Sequence, residues 1–262
     1  FRRENAFRKH WNFASKDLHP SEVIVMAALL STPSAAGVVE VDISGNPIGD
    51  DGIMALSAIL PTSKITELLV SKCGIGPRGV ASLAATLSTA GLAEVDISEN
   101  PIGGEGGTAL VKAIPSSSLK AIKIGTSFTV TIDECSTSAL DCSNQKLGPG
   151  QVVVLSWWLS TDATAGVSRV DLSGNGLSGA KFDRFGNVSR VYSDLAGITT
   201  FCEALPSSKI TELLISKCGL GPKSIAIVAA SLATAGLAEV DISDNNIWGP
   251  KYKSAPDTSG WE

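Results

Sequence analysis

Apolar and polar positions along this chain alternate in short bursts that recur almost verbatim. Residues 38–49 (VVEVDISGNPIG), 92–103 (LAEVDISENPIG), 167–178 (VSRVDLSGNGLS) and 237–248 (LAEVDISDNNIW) share one phrase, and 65–76 (ITELLVSKCGIG) and 210–221 (ITELLISKCGLG) carry cysteine where the others carry asparagine. Within each burst Val41 and Ile43 alternate with Asp42 and Ser44, the period-two pattern of a strand with one buried face. The stretches that follow, such as 52–60 (GIMALSAIL) and 80–87 (VASLAATL), space their apolar residues as a helix does. Each unit therefore predicts strand, turn, helix. Val41, Leu68, Val95 and Ile122 recur at steps of 27 residues, as do Leu213 and Val240. Repetition at that period predicts a solenoid, which works as a surface more often than as a pocket.

The residue types at the turn fit this arrangement. Asparagine offers a donor and an acceptor to turn backbone in the interior, and cysteine offers a small apolar fill. Gly49, Gly76 and Gly103 are expected to permit the turn into the helix. Parallel strands need such a helical return. A doubly wound α/β domain also provides one, but does not require near-identical units.

The frame L-x-x-L-x-L-x-x-N/C-x-L-G, with Leu, Ile or Val at the apolar places, resembles the leucine-rich repeat. Its full helix and alternating Asn and Cys units are similar to the ribonuclease-inhibitor subtype, which also occurs in Ran GTPase-activating protein and in the recognition arms of innate immune sensors. The resemblance runs from about Trp11 to Trp248. It implies an α/β, right-handed solenoid with parallel strands on a concave face and helices on a convex one. It specifies fold and not function, because these relatives bind unrelated partners.

A larger duplication encloses the repeats. Residues 20–46 parallel 149–175, and 60–102 parallel 205–247 with most positions identical, leaving 104–146 as a seam. The same alignment makes 11–37 a worn first repeat, with Trp11 and Phe13 placed to cover the end of the core. The organisation expected is a basic N-terminal arm over 1–16, a repeat domain over 11–249 and a polar tail over 250–262, all as one elongated domain. Two segments leave the frame. Alternation of Ile122, Ile124, Phe128, Val130 and Ile132 predicts an extended or hairpin excursion, and 181–194 (KFDRFGNVSRVYSD) predicts an inserted β-hairpin with Gly186-Asn187 near its tip. Insertions of this kind often carry recognition, so Phe182, Arg184, Phe185, Arg190 and Tyr192 are candidate partner contacts.

Composition narrows the classes. The 262 residues carry a net charge of −5, and no apolar run approaches a membrane span, so neither nucleic-acid binding nor membrane insertion is expected. The five cysteines form no disulfide framework and no zinc pattern. Cys73 and Cys218 fall at the interior turn position, Cys142 in a strand and Cys202 in a helix, leaving Cys135 exposed. A reducing intracellular compartment, cytoplasmic or organellar, fits that usage, although Asn187-Val188-Ser189 is a glycosylation sequon. The first sixteen residues hold Arg2, Arg3, Arg8, Lys9 and Lys16 against Glu4, which suits a targeting remnant, an arm for an acidic partner or a solvated terminus.

Positions between the buried strand residues should line the concave face. They form one column of Glu40, Glu67, Glu94, Glu212 and Glu239 and another of Asp42, Asp96, Asp141, Asp171 and Asp241. Strands about 4.8 Å apart lie within a Debye length of roughly 8 Å, so such a ladder should raise its own pKa values unless Arg169, Lys72, Lys217 or Lys123 intervenes. Leu69 and Leu214 occupy the same face in the cysteine units and could anchor a partner. These residues point to a protein partner with a basic segment, while the resemblance supplies a competing structural role for the aspartates. No catalytic constellation forms around His10 and His19, and no cofactor or metal is expected. Arg78, whose copy is Lys223, is the residue that suggests a GTPase-activating regulator at a turn of the rim. A ligand-sensing arm of an innate immune-type receptor is the other alternative. In the helix over 152–159, Trp157-Trp158 stand where the first block has Ala27-Ala28-Leu29; one ring should enter the core and its neighbour point elsewhere. The expected function is a non-catalytic protein-interaction module, in a narrower form a scaffold or peripheral subunit of a large assembly.

Overall fold

The computed structural model describes residues 9–182, 188–190 and 194–247. These fall into two compact units. The first unit comprises residues up to Ile124 together with Thr129–Ile132, and the second comprises Gly125–Phe128 and the residues from Asp133 onward.

In the first unit, strands β1 (Lys9–Asn12), β2 (Val38–Asp42), β3 (Glu67–Leu69), β4 (Glu94–Asp96) and β5 (Ala121–Lys123) run parallel in chain order. They alternate with helices α1 (Pro20–Leu30), α2 (Gly49–Ile59), α3 (Pro77–Thr86) and α4 (Gly103–Ala113). Strand β6 (Thr129–Thr131) then folds back antiparallel on β5, with Ile122 opposite Val130. This hairpin occupies the edge that a further parallel strand would use, which is why the ladder stops there. Lys9–Asn12 belong to the sheet and not to an arm, whereas residues 1–8 of the expected arm lie outside the described residues.

The second unit repeats the scheme. Its parallel strands β7 (Ala139–Asp141), β8 (Arg169–Asp171), β11 (Glu212–Leu214) and β12 (Glu239–Asp241) accompany helices α5 (Pro149–Leu159), α6 (Ala196–Ala204) and α7 (Pro222–Leu232). Between β8 and α6, the short strands β9 (Lys181–Phe182) and β10 (Val188–Arg190) pair antiparallel.

The two periods read from the sequence decide which residues enter each core. Strand residues Val41, Ile43, Leu68, Val70 and Ile97 and helix residues Ile53, Leu56, Val80 and Leu83 are all essentially fully buried. Each such side chain contributes about 1.5–3 kcal/mol by leaving water. At the exit of each parallel strand except β5 one residue adopts a left-handed conformation: Ser15, Gly45, Lys72 and Glu99 in the first unit, Asn144, Gly174, Lys217 and Asp244 in the second. Entry into the helix differs between repeat types. Gly49 and Gly103 are left-handed at φ +58 and +59°, whereas Gly76, expected to do the same, is extended at φ −93°. Pro77 opens α3 from that extended residue, its fixed φ suiting the first helical position.

Three further expectations change in detail. Cys142 lies one residue beyond β7, at a buried apolar place of the frame. Arg78 belongs to the first turn of α3 and not to a turn on the rim. Trp158 is buried, its ring set edge-on to Phe128 with centroids 6.3 Å apart, while Trp157 is partly exposed.

Candidate protein-recognition surface

Strand pairing in the first unit sets the expected acidic positions side by side. Glu40 is in register with Glu67 and Glu67 with Glu94, so three carboxylates form one column. The column has ends that the sequence did not disclose. His10 stands in register with Glu40, and its Nδ1 contacts the Glu40 carboxylate; on the other side Glu94 faces Ala121. Placing residues 9–12 in the strand frame is the signal that finds His10. In the neighbouring column Asn12, Asp42, Leu69, Asp96 and Lys123 lie in register. Lys123 Nζ donates to Asp96 Oδ2 at 3.0 Å, the cationic relief expected of it.

The glutamates, Leu69, Asp96, Ala121, Lys123 and Thr129 enclose a shallow recess of about 210 Å³ on the strand face. Leu69 is half-buried there, Glu94 is exposed, and Glu40 and Glu67 are intermediate. Its chemistry is an apolar floor with a carboxylate wall and one cation at the margin.

The glutamates of the second unit belong to another sheet and do not extend this column. Ala139, Arg169, Glu212 and Glu239 lie in register there, and the Arg169 guanidinium pairs with the Glu212 carboxylate. Beside them run Asp141, Asp171, Leu214 and Asp241. Lys217, expected to relieve the ladder, sits instead 3.8 Å from Asp244, and both side chains are strongly exposed.

The aspartates perform a different task from the glutamates. In each repeat with aspartate at this strand position the Asp Oδ1 accepts a backbone N–H two residues on: Ser44 to Asp42 at 3.0 Å, and Ser98, Ser143, Ser173 and Ser243 to their aspartates at 2.9 Å. These bonds brace the left-handed strand exits. Asp96 goes further: it is 8 % exposed and also accepts the Ser98 hydroxyl at 2.6 Å, so it does not offer itself to solvent. The expected rise in carboxylate pKa is reversed where a shift is resolved. Hydrogen bonds from the Ser143 hydroxyl and N–H hold Asp141 below the ordinary range, and those from the Ser243 N–H and hydroxyl do the same for Asp241.

Of the insertion residues, Phe182 lies in β9 and Arg190 in β10, while Arg184, Phe185 and Tyr192 lie outside the described residues. Among the described residues no cluster of three or more His, Cys, Asp or Glu could hold a metal ion, and no helix is long and apolar enough to cross a membrane.

Comparison with known proteins bears on the repeat. A family model described as leucine-rich repeat matches residues 38–57, 63–84 and 92–111. No curated protein matches the chain. Among solved structures, an internalin of Listeria monocytogenes is similar at 13 % identity and a TM-score of 0.33, over 85 % of this chain and 65 % of that one. The chain thus spans slightly less than two thirds of that neighbour. The matched residues are thus leucine-rich repeats, and with strands and helices alternating at the same period, each unit has the α/β leucine-rich-repeat solenoid fold, which generally serves protein–protein interaction.

Proposed function

We propose that this protein is a non-catalytic recognition module whose strand face in the first unit takes a basic segment of a partner protein. The recess around Leu69, walled by Glu40, Glu67 and Glu94, carries this reading. A lysine or arginine side chain suits it, since its apolar stem can lie on Leu69 while its charged head meets the glutamates. In the second unit the corresponding column is interrupted by Arg169, so the negative potential concentrates in the first.

The ribonuclease-inhibitor-like subtype is supported by a full helix in most repeats and by Cys73 and Cys218 at the turn position. Both cysteines act as reduced side chains, Cys73 Sγ–H donating to the Ile43 carbonyl and Cys218 Sγ–H to that of Leu172, which favours a reducing compartment. A scaffold or peripheral-subunit role in a larger assembly is the narrower form of the proposal.

Fluorescence anisotropy with labelled Lys/Arg-rich and Asp/Glu-rich peptides tests the surface. Three forms are compared: the intact chain, a chain lacking residues 181–194, and Glu40→Gln/Glu67→Gln/Glu94→Gln. Binding of the basic peptide by the first two and its loss in the third is the expected result. Equal binding by the triple variant, or no preference for the basic peptide, removes the proposal.

A further inference from the structure

The internal duplication lets both ends of the described chain be compared with their copies. At the N-terminal end, α1 exposes Ile24, Val25 and Leu29 at 51, 60 and 52 %. Their counterparts in α5 are Val153, Val154 and Trp158, exposed by only 3, 0 and 2 %. At the C-terminal end the contrast runs the same way. Val80, Ala84, Leu87, Val95 and Ile97 are buried. Their copies Ile225, Leu232, Val240 and Ile242 are partly exposed, and Ala229 is exposed.

A solenoid end needs a polar outer face to stay in water, and among the described residues the outer faces of α1 and α7 are apolar in part. Both ends also have an open strand edge: among the described residues β1 pairs only with β2, and β12 only with β11. An unpaired edge beside an apolar helix flank is what one repeat offers to the next.

We propose that two copies of this chain associate head to tail, β12 and α7 of one copy seating against β1 and α1 of the other as one more repeat boundary. A second copy is favoured over an unrelated apolar partner because this chain offers both halves of such a boundary. Charge agrees with the match. Glu212 pairs in register with Glu239, and His10 with Glu40. Continuing that register across the junction sets His10 beside Glu239, Trp11 beside Val240 and Asn12 beside Asp241. An imidazole then stands between two carboxylates, and apolar residues meet behind it. Such a contact is heterologous and leaves an open end on each copy, so association continues beyond two.

The test is sedimentation velocity on the full 262-residue chain over a wide concentration range, with Val25→Lys and Ala229→Lys. Both substitutions fall at exposed positions, and far-UV circular dichroism checks that helix content is kept. Should either lysine variant lose it, Leu29→Gln and Ala229→Glu replace them. The wild type is expected to form dimers and then larger species as concentration rises. Each variant alone should remain monomeric. An equimolar mixture should form dimers and stop there, because the variants contribute one intact end each. A wild type that stays monomeric overturns the proposal, and so does a monomer whose unfolding midpoint falls on Val25→Lys, which would mean that the chain covers its own helix. A dimer left intact by Ala229→Lys would indicate a symmetric α1 pair and equally overturns it.

Discussion

The side chain of Asn100 holds the turn of the preceding repeat at Cys73. Its Oδ1 accepts the backbone N–H groups of Cys73 at 2.9 Å and Ile75 at 3.1 Å, while its Nδ2 donates to the carbonyls of Val70 at 2.7 Å and Ile97 at 3.1 Å. Asn245 treats Cys218, Leu220 and Ile215 in the same way. A thiol has no acceptor of that quality, so a cysteine repeat cannot do this for the repeat before it. There the turn bonds to itself, with the Ile48 N–H donating to the Asn46 carbonyl at 2.8 Å. Asn100 is 4 % exposed, and its removal strands four backbone groups. Asn100→Ala is expected to cost about 3 kcal/mol or more in urea unfolding, and Asn245→Ala about 1 kcal/mol because water reaches its partly exposed turn. Equal losses would show that the bonds are not set by burial.

The strands and helices were legible because their two periods are regular, and the exchange of Asn for Cys was legible as a change of donor and acceptor capacity. The interruption of the ladder was only partly so. Alternation through Ile122 to Ile132 marked a hairpin, but which edge β6 would occupy depends on backbone pairing that side-chain pattern does not encode. The different tasks of the two acidic columns are not legible for a related reason. Glu and Asp look alike in a charge count, yet the shorter aspartate reaches the N–H two residues on and is absorbed by the turn. His10 was missed because a single worn strand lacks the flanking residues that identify the frame.

That absorption gives the aspartates a pH signature. Folded Asp141 and Asp241 titrate below the ordinary range near ~3.9, so their bonds stabilise the protein above that pH. The contribution disappears as pH falls through the lower folded values. Asp141→Asn and Asp241→Asn should therefore be less stable than wild type at neutral pH, with the gap closing toward pH ~2. Thermal unfolding across that range measures it. A gap that widens in acid would reverse the assigned sign.

Thiol reactivity should follow burial. Cys73, Cys142, Cys202 and Cys218 are buried, and desolvation raises the pKa of all four, that of Cys218 to about 12. Cys135 is partly exposed. Under native conditions a maleimide is expected to modify Cys135 rapidly and the others only on unfolding. Mass spectrometry of a time course, with Cys135→Ser as control, checks the order. Fast modification of Cys73 or Cys218 would mean that the turn interior opens far more readily than its hydrogen bonds suggest.

Close approach of backbone within the second unit makes Gly197 a demanding position. A Cβ there would come 2.7 Å from both Cα and the carbonyl oxygen of Pro149 and 3.0 Å from the Leu177 carbonyl oxygen. These are main-chain atoms at the start of α5 and in the turn after β8, so no side-chain rotation relieves the contact. Either α6 moves away from α5, losing the packing of Ile198 and Phe201, or the strain stays in place. Gly197→Ala is therefore expected to cost about 2 kcal/mol, in the middle of the range for overpacked interiors. Gly91 supplies the contrast, because a Cβ at that site meets nothing within 4 Å. Gly91→Ala should leave the urea midpoint close to that of the wild type, and if the two variants shifted it equally, the shift could not be assigned to the meeting of α5 and α6.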